Sequence, residues 1–359
     1  MRLCVVCPSW VGDVCMATPA LRLVRDALPG AFIGALVKPP CEVLLAGTGL
    51  VDEVHIRRDS GVMGPKHTAS KMRPWRYDTA LLLTNSFSTA LATRVAGIPQ
   101  RVGYERDGRG LLLTHRLDPE KRSDGDWAMV PAVDYYWRVA SAMLGREEAR
   151  APADAFMELA TTDAERDETQ RVLTDAGVGD RTYAVLNPGG NNEAKRWPAE
   201  RFAALARWLR DERGLAVVVN GSPAERELCN RIAALSDGAA ASLPAIGMSF
   251  AAVKAVVGGA AVLVTNDTGP RHIAVAMGVP TVTLFGPTDH RWTTVPTRPG
   301  TPEVLVLADP TLPESESAND HPERCSIERI ELDRVREAVA AVLAPGGGTV
   351  RNDGRAGEA

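Results

Sequence analysis

Short apolar runs alternate with helix-patterned segments along most of the chain. No other feature restricts the fold as much. Strands of this length joined by helical crossovers build parallel βαβ units, with helices on both faces of a sheet. In the first half the strand candidates are LCVVC (3–7), FIGALV (32–37), VDEVHI (51–56) and TALLLT (79–84). Helices are expected over 14–27 and 86–96, AGIPQRVGY turns back into an extended piece, and 127–144 carries apolar and aromatic residues at helical spacing. The aromatic stripe there, Tyr135, Tyr136 and Trp137, reads as core. Residues 145–165 break the pattern with charge, alanine and proline and are expected to link two domains. A helix over 163–176 ends at Gly177, a C-cap signal. A second series follows: YAVLN (183–187), AVVVN (216–220), AVLVTND (261–267), TVTLFG (281–286) and VLVL (304–307), with helices over 199–213, 223–235, 249–257, 270–277 and 332–343. The expectation is an α/β protein of two Rossmann-like domains, 1–160 and 161–344, facing each other across a cleft. The polar, glycine-rich stretch 345–359 is expected to be a disordered tail. A chain of 359 residues has enough length for two cores.

Composition narrows the class. With 45% hydrophobic and 24% charged residues the chain is an ordinary soluble globular protein. No apolar run approaches the roughly 20 residues of a membrane span, and MRLCVVCP is too short for a signal peptide, so a cytoplasmic protein that does not span the membrane is expected. The cysteines are scattered. Cys4 and Cys7 form a CxxC inside an apolar strand without a second such pair, which favours buried thiols over zinc. The net charge is −4, yet residues 1–110 hold fourteen Lys/Arg against nine Asp/Glu. The excess gathers in 57–76, where six basic residues face one acidic residue among Gly, Pro and Ser. Either a solvated loop or a mobile basic loop that meets an anionic partner fits this stretch. Nucleic acid is a poor partner for a chain that is acidic overall and has no recognised binding motif.

Chemistry concentrates at strand ends, where open α/β sheets bind ligands. After the first strand, PSWVGD places Asp13 at the start of a helix, as a helix cap or as a catalytic base. After 183–187, NPGGNNEAKRWP supplies a turn that a ligand can approach closely, followed by Lys195 and Arg196, two cations suited to a phosphate. After 261–267, Thr268 and Gly269 lead into a helix whose free amides attract a diphosphate, with His272 one turn in and expected at the same opening. In NGSPAERE, Glu225 is either a ribose ligand or an ordinary first-turn glutamate. There is no GxGxxG after the first strand and no GxxxxGK[ST], which disfavours dinucleotide oxidoreductases and P-loop NTPases. The DGD at 124–126 sits in a charged loop and reads as solvated. Neutralising a diphosphate then falls to Lys195, Arg196 and helix amides, so no metal and no cofactor are expected.

Together PSWVGD, the NSF at 85–87, NPGG…AKRWP, NGSPAERE, NDTG..H and FGPT resemble the ADP-heptose:lipopolysaccharide heptosyltransferases of glycosyltransferase family 9, most of all their heptosyltransferase II branch. Each motif is weak alone; their order and spacing from Met1 to about Leu343 are specific. The resemblance implies a GT-B fold and inverting, metal-independent transfer of L-glycero-D-manno-heptose from ADP-heptose to the inner core of lipopolysaccharide. It implies Asp13 as catalytic base and Lys195 at the nucleotide diphosphate. Donor contacts would come from Gly12, Asn187, Gly189, Arg196, Glu225, Asp267, Thr268, Gly269 and His272. An anionic, membrane-anchored acceptor would meet Ser9, Trp10, Lys66, Lys71, Arg73 and Arg101, and the basic stretch 57–76 with Arg101, Arg106 and Arg109 would hold its acidic sugars and phosphates. The enzyme would then be peripheral at the inner face of the cytoplasmic membrane, and is taken as a monomer. One departure stands out: Pro270-Arg271 replaces a small or apolar pair. Pro270 removes one N–H, and Arg271 is expected to compensate with charge. A family 9 enzyme with another donor and acceptor, and a nucleotide-sugar-binding protein without catalysis, remain as alternatives.

Overall fold

The computed structural model describes residues 1–57, 61–122, 125 and 127–344. The expected tail at 345–359, and Asp124 and Asp126 of the DGD, lie outside these residues. The chain forms two compact units, 1–160 with 291–296, and 161–290 with the rest.

The first unit holds strands β1 (Arg2–Val6), β2 (Phe32–Val37), β3 (Glu53–Ile56), β4 (Thr79–Leu82), β5 (Gln100–Tyr104) and β6 (His115–Leu117). Its helices are α1 (Val11–Ala27), α2 (Gly64–Met72), α3 (Phe87–Val95) and α4 (Ala132–Met143). The strands are all parallel, in the order β3-β2-β1-β4-β5-β6. The central strands are continuous apolar runs because helices cover both faces, as parallel sheets require.

The second unit holds β7 (Tyr183–Asn187), β8 (Ala216–Val219), β9 (Ala240–Ser242), β10 (Val262–Asn266), β11 (Thr281–Phe285) and β12 (Glu303–Leu307). Helices α5 (Asp163–Asp175), α6 (Ala199–Arg213), α7 (Arg226–Leu235), the short α8 (Leu243–Ile246), α9 (Phe250–Gly258), α10 (Gly269–Met277) and α11 (Leu332–Leu343) surround it. Read from β9, the parallel order is β9-β8-β7-β10-β11-β12, the same arrangement as in the first unit. In each sheet the order reverses between the first and fourth strands, β1/β4 and β7/β10. That reversal opens a crevice at the strands' carboxyl ends. Pairing of Thr265 with Asn187 sets the loops after β7 and β10 side by side.

Several expectations change. Part of the basic stretch 57–76 expected as a loop is helical: Gly64-Pro65 opens α2, with proline in the first turn where its missing N–H costs nothing, while 58–60 lie outside the described residues. The helix expected over 127–144 begins only at Ala132, after Pro131 in extended geometry. β6 and β9 were not anticipated, being three residues each and lacking an apolar run. All six cysteines are free and buried, and burial pushes the Cys7 thiol up to about 12.

Candidate functional site

In the first unit, β1 ends at Val6 and Cys7-Pro8-Ser9-Trp10 carries the chain to α1. The helix starts at Val11, so Asp13 lies inside its first turn; Trp10 is the cap residue, and no side chain caps the helix. The capping role weighed for Asp13 is therefore not what the geometry provides. The carboxylate is half-buried, and its Oδ1 accepts a hydrogen bond from the Tyr136 hydroxyl at 3.1 Å. Tyr136 sits on α4, which packs against α1. Burial raises the Asp13 pKa above the usual carboxylate value, and the Tyr136 hydrogen bond partly offsets this. Tyr136 itself is held well above its ordinary pKa, first by burial and then by the Asp13 charge, so it stays a donor. The tyrosine read as core is thus core on its ring and site on its hydroxyl.

Tyr136 also lines a cavity of about 350 Å³ within this unit, with Asn85, Arg106, Trp127, Tyr135 and Trp292. Asn85, the first residue of NSF, follows β4, on the other side of the switch point from Asp13. Its Oδ1 accepts from Tyr135 Oη at 3.0 Å and from Arg109 Nη2 at 3.2 Å. Tyr135 stacks on Tyr104 with centroids 3.9 Å apart. The Arg106 guanidinium lies 4.6 Å over the Trp127 ring, and the Lys121 ammonium 5.3 Å from it. Aromatic faces with one placed guanidinium suit a sugar that carries an anionic group.

Of the residues expected at an acceptor, Arg106 lines this cavity, whereas Ser9, Trp10, Lys66, Lys71, Arg73, Arg101 and Arg109 are not among its lining residues. Trp10 is 75% exposed. Ser9 Oγ accepts from the buried Arg57 at 2.7 Å, which braces the loop before α1. Lys71 donates to Ile56 O and Arg73 to Val95 O, while Lys66 is exposed on α2. Arg101 requires correction. It is buried, and its guanidinium donates to the carbonyls of Ile98, Pro99 and Leu112, so it holds the chain around β5. Arg109 is fully buried and donates to Tyr104 O and Thr84 O. A buried cation that satisfies carbonyls is structural.

In the second unit the loops after β7 and β10 form one polar cluster. Asn266 donates to Pro188 O (2.8 Å) and Gly189 O (3.1 Å) and accepts from Trp197 N, tying both loops together. Asn187, expected at the donor, is instead buried: it accepts from Asn220 and donates to Thr265 and Thr268, so it is a strut. The Glu225 carboxylate accepts from Gly190 N, Ser222 N and Ser222 Oγ, each at 2.8 Å. This is a capping box that also clamps the glycine turn. A Cβ on Gly189 would collide with that carboxylate, which is why the turn needs glycine there. Arg196 donates twice to Gly190 O, shaping the turn from outside.

Lys195 Nζ lies 3.4 Å from Asp267 Oδ2. At α10 the charge of Arg271 lies inside the unit: the side chain is fully buried and forks onto Glu303 (2.6 and 3.2 Å). His272 is buried as well, and burial with the Arg271 charge depresses its pKa to about 3, so it is neutral at any physiological pH. The helix start also offers few amides. Pro270 has none, and the Arg271 N–H bonds back to Thr268 O, leaving Gly269 as the donor at this turn. Neutralising an anion here therefore rests on Lys195. Among the described residues no three His, Cys, Asp or Glu side chains converge as a metal site.

Comparison with known proteins spans both units. The family described as Glycosyltransferase family 9 (heptosyltransferase) matches residues 67–321. Lipopolysaccharide heptosyltransferase 2 of Escherichia coli K12 is 32% identical over 306 residues, 82% of this chain and 85% of that protein. The solved structure of E. coli ADP-heptose lipopolysaccharide heptosyltransferase II matches at a TM-score of 0.77 and 26% identity, covering 96% of this chain and 98% of that one. A family 9 glycosyl transferase from Veillonella parvula shares the fold, with a TM-score of 0.79 at 20% identity over 95% and 97% of the two chains. The fold is the GT-B fold that the sequence motifs imply.

Proposed function

This chain belongs to glycosyltransferase family 9, and from that premise we propose that it transfers L-glycero-D-manno-heptose from ADP-heptose to the inner core of lipopolysaccharide, with inversion and with Asp13 as general base. The observation that carries the mechanism is Asp13 itself: a half-buried carboxylate at a sheet's switch point, held by a neutral phenol rather than used as a helix cap. Its raised pKa makes it a better proton acceptor than an exposed aspartate. The acceptor hydroxyl gives its proton to Asp13 as its oxygen attacks the anomeric carbon. The bond from that carbon to the diphosphate breaks on the opposite face, and ADP leaves with the electron pair.

The second unit binds the nucleotide in this reading. Lys195 moves onto the departing diphosphate and stabilises the charge that develops there, helped by the Gly269 amide. Glu225, Arg196, Asn187 and Thr268 hold the loops that present these groups. The neutral His272 contributes shape rather than charge. The donor is read as metal-independent because Lys195 occupies the role of the cation. The acceptor sugar lies on the aromatic faces of the first unit's cavity, with Arg106 on its anionic group. The exposed cations of α2 contribute long-range attraction to an anionic membrane face. Among the described residues no helix is long and apolar enough to cross a membrane.

Calorimetric titration with ADP, UDP, GDP and CDP in the presence of EDTA tests this reading. Selective ADP binding supports the donor and its metal independence. Preference for another nucleotide keeps the Asp13 mechanism but removes the heptose. Binding of none of them refutes the metal-independent donor site.

A further inference from the structure

Behind Lys195 lies a chain of alternating charge that no step above uses. Glu303, the first residue of β12, accepts from Arg271 Nε at 2.6 Å and from Thr283 Oγ1 at 2.8 Å. Arg271 Nη1 reaches Asp267 Oδ1 at 3.5 Å, and the other Asp267 oxygen faces Lys195 Nζ at 3.4 Å. Exposure rises along the series: the Arg271 side chain is 0% exposed, Glu303 7%, Asp267 12% and Lys195 21%. The guanidinium also lies 5.0 Å from the centre of the Phe285 ring, which packs one side of it.

We infer that Arg271 and Glu303 are a positioning pair for the diphosphate site, in which Arg271 supplies the counter-charge that lets Lys195 leave Asp267 for an incoming phosphate. The inference rests on the reading that Lys195 receives the nucleotide diphosphate. If Lys195 were the sole cation on Asp267, drawing it onto a phosphate would strand a mostly buried carboxylate beside another anion. An uncompensated buried charge is costly. Arg271 stays on the far carboxylate oxygen throughout, so Asp267 keeps a partner while Lys195 moves. Glu303 holds the guanidinium by a two-pronged fork, which keeps Arg271 from swinging onto the ligand itself. Pro270 fits the same division of labour: the turn gives up an amide donor, and the cation behind it works through Asp267 and Lys195.

The test uses full-length protein, calorimetric titration with ADP and with adenosine, and a melting temperature for each variant. Arg271→Met is expected to weaken ADP binding about tenfold, the scale of one charge-assisted contact, and to lower the melting temperature, because Glu303 is left buried without a counter-charge. The double variant Arg271→Met, Glu303→Met removes both charges and is expected to regain most of the melting temperature while ADP binding stays weak. Adenosine binding is unchanged in both, since the effect acts at phosphate. Glu303→Gln keeps the shape of the fork and leaves the Arg271 charge to Asp267, so ADP binding holds or tightens. Wild-type ADP affinity in the double variant, or a loss in Glu303→Gln equal to that of Arg271→Met, would show a purely structural pair and overturn the inference. If wild-type protein fails to bind ADP, the nucleotide reading falls first and takes this pair's role with it.

Discussion

Asp13 and Asp267 occupy matching places. Each follows a strand at the switch point of a sheet ordered 3-2-1-4-5-6, and each lies at or near a helix start. Their surroundings differ in kind. Asp13 is half-buried with a phenol as its hydrogen-bond partner, and burial raises its pKa. Asp267 has a cation on each oxygen, Lys195 on one and Arg271 on the other. A carboxylate between two cations is a shared counter-charge that holds both in place. A carboxylate held by a neutral donor in a poorly solvated place can take a proton and return it. The same position in the same topology is thus given a neutral donor in one unit, which suits the base proposed for Asp13, and two cations in the other, which make Asp267 a charge-holding bracket.

The largest expected effect breaks the comparison on the Asp13 side. Asp13→Asn should lower turnover by roughly 10²–10⁴-fold, the usual worth of a general base, with ADP affinity unchanged. Its stability should not suffer. A carboxyl whose folded pKa is raised favours the fold below its unfolded pKa and loses that contribution as pH rises through the folded pKa. Above its unfolded pKa the buried carboxyl is therefore a cost that asparagine removes, and thermal denaturation at pH 7 should give an equal or higher midpoint. On the other side, Lys195→Ala should weaken ADP binding roughly 10- to 100-fold by titration, with a smaller effect on nucleoside binding.

A subtler change sharpens the contrast. Tyr136→Phe removes the donor that holds the Asp13 pKa down, so the acidic limb of the pH–rate profile should move to higher pH. An unchanged limb would mean that Tyr136 only fills space. The smallest effect is expected at Lys66→Ala on the exposed face of α2. The KM for acceptor should change less than about twofold, in keeping with the weakness of exposed charges.

Much of this architecture can be read from the sequence because it is local. YAVLN and VLVTN are apolar runs ended by an asparagine, and a parallel sheet needs nothing more to place NPGG and NDTG at its carboxyl rim. The partners of those motifs are another matter. Tyr136 reaches Asp13 across 123 residues and Glu303 reaches Arg271 across 32, and neither link leaves a periodic trace. Buried cations misled in a consistent way. Arg57, Arg101 and Arg109 read as cations for an anionic acceptor and Arg271 as charge replacing the Pro270 amide, yet each guanidinium is buried and bound to groups of its own unit. The cavity wall at Trp292 was equally hidden, since 291–296 returns to the first unit from deep in the second half of the chain.

One measurement tests the central claim most directly: incubation of the protein with ADP-heptose, EDTA and a heptose-deficient lipopolysaccharide core, following ADP release and determining the anomeric configuration of the product by NMR. The account predicts ADP release that depends on the acceptor, with the transferred heptose in the configuration opposite to that of the donor. Donor consumed without acceptor, or a product of retained configuration, would contradict a base-assisted displacement at Asp13.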